Sequence, residues 1–330
     1  MENQKALDVH NASQVERFLA RPQVRELLAG WIEGTHRVEL LSDAPERGVV
    51  YKIDSDRGTC VVRFPLDARK EAALKREARA TKELHPLVRI DIPETTFFSS
   101  ENGRPALAIH RWIDGVPLTT EMYDGMSDES RHDLAHDLAE FLVTVHAVDL
   151  AEAATWCGVG SLEHLPPGYG KPQWFDEDLR ARTPKALHPQ LEPGLITVVT
   201  ETIREFEELV VSREELVFGH GDIHGFNLAM RPTAKGYGLG GIFDFEIAGI
   251  QDTHEDFFRL YFISSDLVDR TVGAYEGKRE HEAPLDRARI HLYWRAFLIY
   301  LMMEHLEMDN FDLFQLYKKL LVETVSDKER

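Results

Sequence analysis

The stretch from Val217 to Leu260, VFGHGDIHGFNLAMRPTAKGYGLGGIFDFEIAGIQDTHEDFFRL, holds the residues best suited to chemistry. Asp222 and Asn227 share a short loop after the strand-like run Glu215-Leu216-Val217-Phe218, and Asp244 ends a second apolar run, Gly240-Gly241-Ile242-Phe243. Two strand-end loops that present a carboxylate, an amide and a second carboxylate suit a hard cation that takes oxygen ligands and keeps waters. In phosphoryl transfer, such an Asn and the second Asp hold Mg²⁺ against a nucleotide, while the first Asp orients the attacking hydroxyl. The alternative is that Asp222 and Asp244 only cap turns, but a capping Asp has no need of the ordered Asn and second carboxylate.

These loops need elements to hold them. Residues 37–41, 48–53 and 59–64 read as strands, separated by turn-rich 42–47 and 54–58. A helix is expected over about 67–84, followed by strand candidates at 95–98 and 106–112. Ahead of them, 13–30 reads as helical. Ser13 and Glu16 have capping-box spacing there, Val15, Phe18, Leu19, Val24, Leu27 and Leu28 lie on one face, and Pro22 is a break or restart. Beyond 112 the chain turns mainly helical. Ser127 caps a helix with Leu134, Leu138, Phe141, Leu142 and Val145 on one stripe, and a helix over 195–211 leads into the strand before Asp222. Three more helices are expected at 257–275, 286–303 and 311–325, whereas periodicity fades between 156 and 193 as Gly and Pro rise.

HGDIHGFN and DFE resemble the catalytic and metal loops of the aminoglycoside phosphotransferase family, small-molecule relatives of the protein kinases, whose loops read H-R-D-x-x-x-x-N and D-F-G. Gly221 and Glu246 stand where protein kinases carry Arg and Gly. The continuation from Ala248 to Asp256 is also similar, with Asp252-Thr253 for the family's usual Asp-Pro. The resemblance covers about residues 38 to 275. It implies an α+β, two-lobed protein-kinase-like fold: an antiparallel-sheet N-lobe with one helix over 1–111, and a hinge with a mainly helical C-lobe over 112–330. It implies Asp222 as the catalytic residue and Asn227 and Asp244 as Mg²⁺ ligands, with ATP or GTP as phosphoryl donor. Ser42 would open a loop over the phosphates, one with a single glycine, which by itself reads as a hairpin turn. Arg63 would replace the lysine that contacts the α- and β-phosphates, a role a guanidinium fork can fill; Lys52 is the next candidate. Glu77 would be the partner of Arg63, although Lys70, Glu71, Lys75, Arg76, Glu77 and Arg79 also read as a solvated face. At the hinge, the Arg111 carbonyl and Ile113 amide would contact the base. His110 would stand at its gate or pack as a core histidine.

Composition limits the partners. A length of 330 residues suggests two lobes. A net charge of −19 disfavours nucleic acid and anionic membranes, both polyanions. Cys60 and Cys157 are too few for a disulfide framework or a thiolate zinc site. The polar N-terminus and the short apolar run at 296–303 predict a cytoplasmic protein with no membrane span. His220, His224 and His254 could bind zinc, but Mg²⁺ with carboxylates explains the set more simply. Acidic clusters at Glu246, Asp252, Glu255 and Asp256, at Glu304, Glu307, Asp309 and Asp312, and at Asp176, Glu177 and Asp178 tilt the acceptor toward a cationic, hydroxyl-bearing small molecule. Any one cluster also reads as a solvated helix face. The expected function is a Mg²⁺-dependent small-molecule kinase resembling the aminoglycoside and macrolide phosphotransferases. The alternatives are a metabolite kinase of the homoserine, choline or sugar type and a nucleotide-binding pseudokinase. Against the pseudokinase stands the complete Asp222, Asn227, Asp244 set.

Overall fold

A computed structural model of the chain describes residues 9, 12–43, 48–101, 105–159, 162, 169–279 and 283–326. These form two compact units, one from 1–119, 152–160 and 225–248, the other from 120–151, 161–224 and 249–330.

The first unit is built on an antiparallel sheet of five strands in the order β1-β2-β3-β5-β4: β1 Arg37–Ser42, β2 Val49–Ser55, β3 Gly58–Phe64, β4 Thr96–Phe98 and β5 Leu107–Arg111. β2 and β3 pair without a break from Val49↔Phe64 to Ser55↔Gly58, so Tyr51 and Val62 sit opposite each other and both are buried. Three short helices precede the sheet: α1 Ala12–Leu19, α2 Pro22–Leu27 and α3 Ala29–Ile32. Apolar residues on and between these helices, Val15, Phe18, Leu19, Val24, Leu28 and Ile32, share one core with Tyr51, Val62, Phe64 and Ile109. Phe18 meets the edge of Phe64 at 6.2 Å, and burying a side chain of this size stabilises by roughly 1.5–3 kcal/mol. Pro22 restarts the helix at its first position, where a missing N–H costs nothing. Ser13 lies inside α1, so it is not the expected cap.

Helix α4, Ala68–Leu84, is capped by Asp67, whose carboxylate accepts from the Lys70 amide at 2.7 Å. Its buried stripe is Ala73, Leu74, Glu77, Ala80, Thr81 and Leu84. Glu77 therefore belongs to the inward face, unlike its charged neighbours. A second sheet in this unit orders β6 Val116–Pro117, β8 Leu228–Thr233 and β9 Gly236–Ile242.

In the second unit, β7 Leu216–Gly219 pairs antiparallel with β10 Gly249–Asp252. Around this ribbon the unit holds α5 Thr120–Asp124, α6 Asp128–His146, α8 Glu177–Leu187, α9 Pro193–Glu208, α10 Ser265–Lys278, α11 Arg287–Glu307 and α12 Phe311–Ser326. Helix α7, Leu150–Cys157, runs across the sequence boundary of the units. Ser127 caps α6, accepting from the Ser130 amide, and Asp286 caps α11. Two expectations change. The helix expected over 257–275 is a 3₁₀ turn at Phe258–Phe262 followed by α10, because the Ser264 hydroxyl accepts from the Asp266 amide and starts a new helix. The stretch read as irregular between 156 and 193 contains α8, started by Asp176, which accepts from the Leu179 amide at 2.8 Å. Among the described residues, no helix is long and apolar enough to cross a membrane.

Candidate active site

Each unit carries part of the residue set expected from the sequence. In the first unit, the β8–β9 ladder sets Leu228 opposite Ile242, and one step beyond it the Phe243 amide donates to the Asn227 carbonyl at 3.1 Å. Asn227 and Asp244 therefore emerge at the same end of one hairpin. Asp244 has a left-handed backbone, φ +68, a conformation that Asp tolerates better than most residues and that collects at functional sites. Its side chain stays 44% exposed, whereas Asn227 is buried.

Arg63 lies near the end of β3 and buries its guanidinium. One nitrogen donates to Glu77 at 2.6 Å and the other to Glu246 at 2.7 Å, and the latter lies 3.9 Å from Asp244. Lys70 on α4 also donates to Glu246. Glu77 accepts from the Thr95 hydroxyl at 3.1 Å. Burial opposes charge on Arg63, but the carboxylates of Glu77, Asp244 and Glu246 outweigh it and raise its pKa, so it remains a cation. The structure thus fixes one positive charge beside the exposed carboxylate of Asp244. Glu246 as the second partner of Arg63, and Lys70 as the third member, are not legible in the sequence, because 183 and 176 residues separate them from Glu246.

The other expected contacts in this unit are less concentrated. Ser42 ends β1, where the register with β2 shifts between Leu40 and Ser42; of the loop it opens, 44–47 lie outside the described residues. Arg111 closes β5. Its side chain donates to the carbonyls of Arg57 and Gly30 and lies over the Trp31 ring at 4.7 Å, while its own carbonyl accepts from His110 Nδ1 at 2.8 Å. Burial pushes the His110 imidazole down to about 4, which makes it a neutral, packed histidine. Ile113 is half-buried, and its Cγ2 lies 2.7 Å from where a Cβ on Gly241 would stand. Lys52, the alternative to Arg63, places its ammonium 4.4 Å from the Trp112 ring centre.

The second unit carries Asp222, held both by its own loop and by residues distant in sequence. The loop backbone is anchored from below: the amides of His220 and Gly221 donate to the buried Asp256 carboxylate at 2.9 and 2.6 Å. His146 Nε2 also bonds Asp256, at 2.9 Å, and its Nδ1 bonds the Tyr275 hydroxyl at 2.8 Å. Gly219 is required for this approach, since a Cβ there would stand 2.7 Å from Asp256 Oδ2. The Asp222 carboxylate meets Arg259 Nε at 3.1 Å and His224 Nε2 at 3.5 Å, and Arg259 also donates to the Gly221 carbonyl. Burial pushes the Asp222 carboxyl up, but the His224 hydrogen bond and the Arg259 charge prevail and hold it at about 2. Asp222 is therefore a carboxylate throughout the neutral range, and it is aimed by a cation.

Arg259 is the residue that motif reasoning missed. Its signal was a charged side chain inside the apolar run Phe257-Phe258-Arg259-Leu260, a place where an Arg must find a partner. His254, one of the three histidines considered for zinc, donates through Nδ1 to Asp252 at 2.6 Å and accepts the Asp286 amide at Nε2, so both ring nitrogens are engaged. Among the described residues, no group of three His, Cys, Asp or Glu side chains is arranged to hold a metal ion.

A phosphotransferase enzyme family model matches residues 39–293. No curated protein matches the chain in sequence. Among solved structures, the GDP complex of wild-type aminoglycoside 2'-phosphotransferase-IIIa is similar at a TM-score of 0.72 and 19% identity, covering 96% of this chain and 99% of its own. The GDP and kanamycin complex of APH(2")-IIIa follows at a TM-score of 0.69 and 19% identity, covering 91% and 97%. The macrolide 2'-phosphotransferase MphH from Brachybacterium faecium is similar at 0.59 and 15% identity, covering 89% and 95%. At these identities the likeness is one of fold.

Proposed function

The chain belongs to the phosphotransferase enzyme family, and from that premise we propose that it transfers the γ-phosphoryl group of ATP or GTP, with Mg²⁺, to a hydroxyl of a small molecule. The observation that carries this reading is the buried cation Arg63, clamped between Glu77 and Glu246 and set 3.9 Å from Asp244. A fixed guanidinium beside an exposed carboxylate suits the polyphosphate of a metal-bound nucleotide.

Asn227 and Asp244 fit Mg²⁺. Both are oxygen donors at one end of a hairpin, and the exposure of Asp244 leaves room for the waters this ion keeps. When bound, Mg²⁺ would neutralise charge on the phosphate oxygens. Asp222, ionised and oriented by Arg259, would accept a hydrogen bond from the acceptor hydroxyl and so orient it for attack. A new O–P bond forms as the bond from phosphorus to the leaving nucleoside diphosphate breaks. The hydroxyl proton passes to the Asp222 carboxylate. A carboxyl held at about 2 is too weak a base to ionise an alcohol beforehand, so this proton moves late, once bonding to phosphorus has acidified it. The GDP and kanamycin complexes among the similar structures support a nucleotide donor and suggest where an acceptor search should begin.

The test is acceptor-dependent release of ADP or GDP with Mg²⁺ across aminoglycosides, macrolides, sugars and amino alcohols, with the phosphorylated product identified by mass spectrometry. Asp222→Asn serves as the control. Absence of Mg²⁺-nucleotide binding, together with absence of any phosphorylated product, overturns the proposal.

A further inference from the structure

Helix α6 lies in the unit that does not contain Asn227 and Asp244, and it carries donors of a different kind. In the run His132-Asp133-Leu134-Ala135-His136 the two histidines are four residues apart, so they leave the helix on one face, one turn from each other. Leu134, Ala135, Leu138 and Ala139 take the buried face, and both histidines are exposed. Their ring centres are 4.5 Å apart and their planes are tilted by 48°.

This separation fits a chelate. Two histidines at this helical spacing are a known way to hold a metal through two imidazole nitrogens. With metal–nitrogen bonds of about 2.0–2.1 Å, the ion stands about 3.2 Å from each ring centre. Ring centres 4.5 Å apart then subtend about 90° at the ion. A right angle belongs to square-planar or octahedral coordination, the geometries of Cu²⁺ and Ni²⁺, and is narrower than a tetrahedral zinc site prefers. The surrounding charge favours a cation as well. Glu129 stands three residues before His132, Asp133 three before His136, and Glu140 four after it. Burial, and then the charges of Asp133 and Glu140, raise the Asp137 carboxyl, while His136 and Lys278 lower it. Lys278 is the cation of this group and lies 3.6 Å from Glu140. Among the described residues no third His, Cys, Asp or Glu completes the set, so the remaining positions on the ion belong to water.

We infer that His132 and His136 form a bidentate site on the exposed face of α6 for a borderline divalent cation, Ni²⁺ or Cu²⁺, that does not take Mg²⁺. Imidazole nitrogen suits the first two ions, whereas Mg²⁺ demands oxygen, so this site and the Asn227–Asp244 pair select different metals. The helix holds both rings in place before the ion arrives, so the second nitrogen binds with little further ordering cost. An ion shared by two successive turns also ties them together. It should therefore stabilise α6, whose last residue, His146, bonds Asp256.

The test is calorimetric titration of the metal-stripped full chain with Ni²⁺, beside His132→Gln, His136→Gln and the double variant, with Mg²⁺ as the comparison ion. The chain has 15 histidines, so the measure is the binding event lost on substitution rather than total uptake. Each single variant should weaken one Ni²⁺ event about tenfold or more, and the double variant should remove it. Ni²⁺ should raise the wild-type Tm and leave that of the double variant lower by the same shift. Should a variant fail to fold, Ni²⁺ added to wild type should broaden the ring signals of His132 and His136 together in NMR spectra. Ni²⁺ binding that survives both substitutions overturns the inference. So does loss in only one of the single variants, which marks a one-nitrogen contact, and so does displacement of Ni²⁺ from this pair by millimolar Mg²⁺.

Discussion

Arg63→Ala removes the guanidinium that joins Glu77 to Glu246. Glu246 keeps Lys70. Glu77 has a side chain with 0% exposure and keeps the Thr95 hydroxyl at 3.1 Å. A buried carboxylate deprived of its cation costs about 3–5 kcal/mol, against ~0–1 kcal/mol for an exposed pair, so the loss should be several times that of a surface charge change. It should also depend on pH. Burial already raises the Glu77 carboxyl against the pull of Arg63, and without Arg63 it rises further. A carboxyl raised in the folded state takes up a proton there more readily than in the unfolded chain. Its penalty is therefore absent below the unfolded value of about 4.3 and complete above the folded one. Urea unfolding of wild type and Arg63→Ala at pH 5 and pH 8 should show a difference that grows with pH. Adding Glu77→Gln to Arg63→Ala should recover most of it at pH 8, since replacing both partners of a buried pair is often nearly neutral. A loss below about 1 kcal/mol at pH 8, or a double variant worse than the single one, would refute the reasoning. In catalysis, Arg63→Ala should raise the nucleotide KM and lower kcat, and Arg63→Lys should restore only part, because an ammonium cannot fork across two carboxylates.

Asp222→Asn should lower kcat by about 10²–10⁴ while nucleotide affinity measured by calorimetry stays near wild type; equal losses in both would place Asp222 against the nucleotide instead. Asp244→Asn should weaken Mg²⁺-nucleotide binding, read as a rightward shift in the Mg²⁺ dependence; an unchanged curve removes Asp244 from the metal site. Asp222 should titrate near 2, so kcat/KM should show no acid limb from it between pH 5 and 8, and whatever stability its ion pair contributes should be lost only as pH falls from about 4 toward 2. A carboxyl NMR signal absent in Asp222→Asn and titrating at 4 or above contradicts this. Gly241→Ala would place a Cβ 2.7 Å from the Asp91 carbonyl oxygen and 2.7 Å from Ile113 Cγ2, and because the first is backbone it should cost about 1–3 kcal/mol in thermal unfolding.

Local order alone determined a good part of this protein. Alternating apolar runs fixed β1 to β3, because strand pattern and turn residues act over a few positions. The Asp67 and Ser127 caps fixed two helix starts for the same reason. The order Asp222, Asn227, Asp244 pointed to phosphoryl transfer because the chemistry needs those groups in one neighbourhood, and a loop of five residues supplies much of that proximity. Charge counting carried less. The carboxylates at 252–256 read as an acidic cluster available to a ligand, but folding turns Asp252 and Asp256 inward onto His254, Tyr293, His146 and two loop amides. Glu77 also read as one charge on a solvated face; its place in the buried stripe of α4 is what distinguishes it. Arg259 and Glu246 gained their roles from long-range packing, which pairs residues without regard to sequence distance. The sequence by itself determined which groups could do the chemistry. The tertiary structure decided which charges remain available, because a carboxylate removed from water must be answered by a neighbour and only the fold chooses that neighbour.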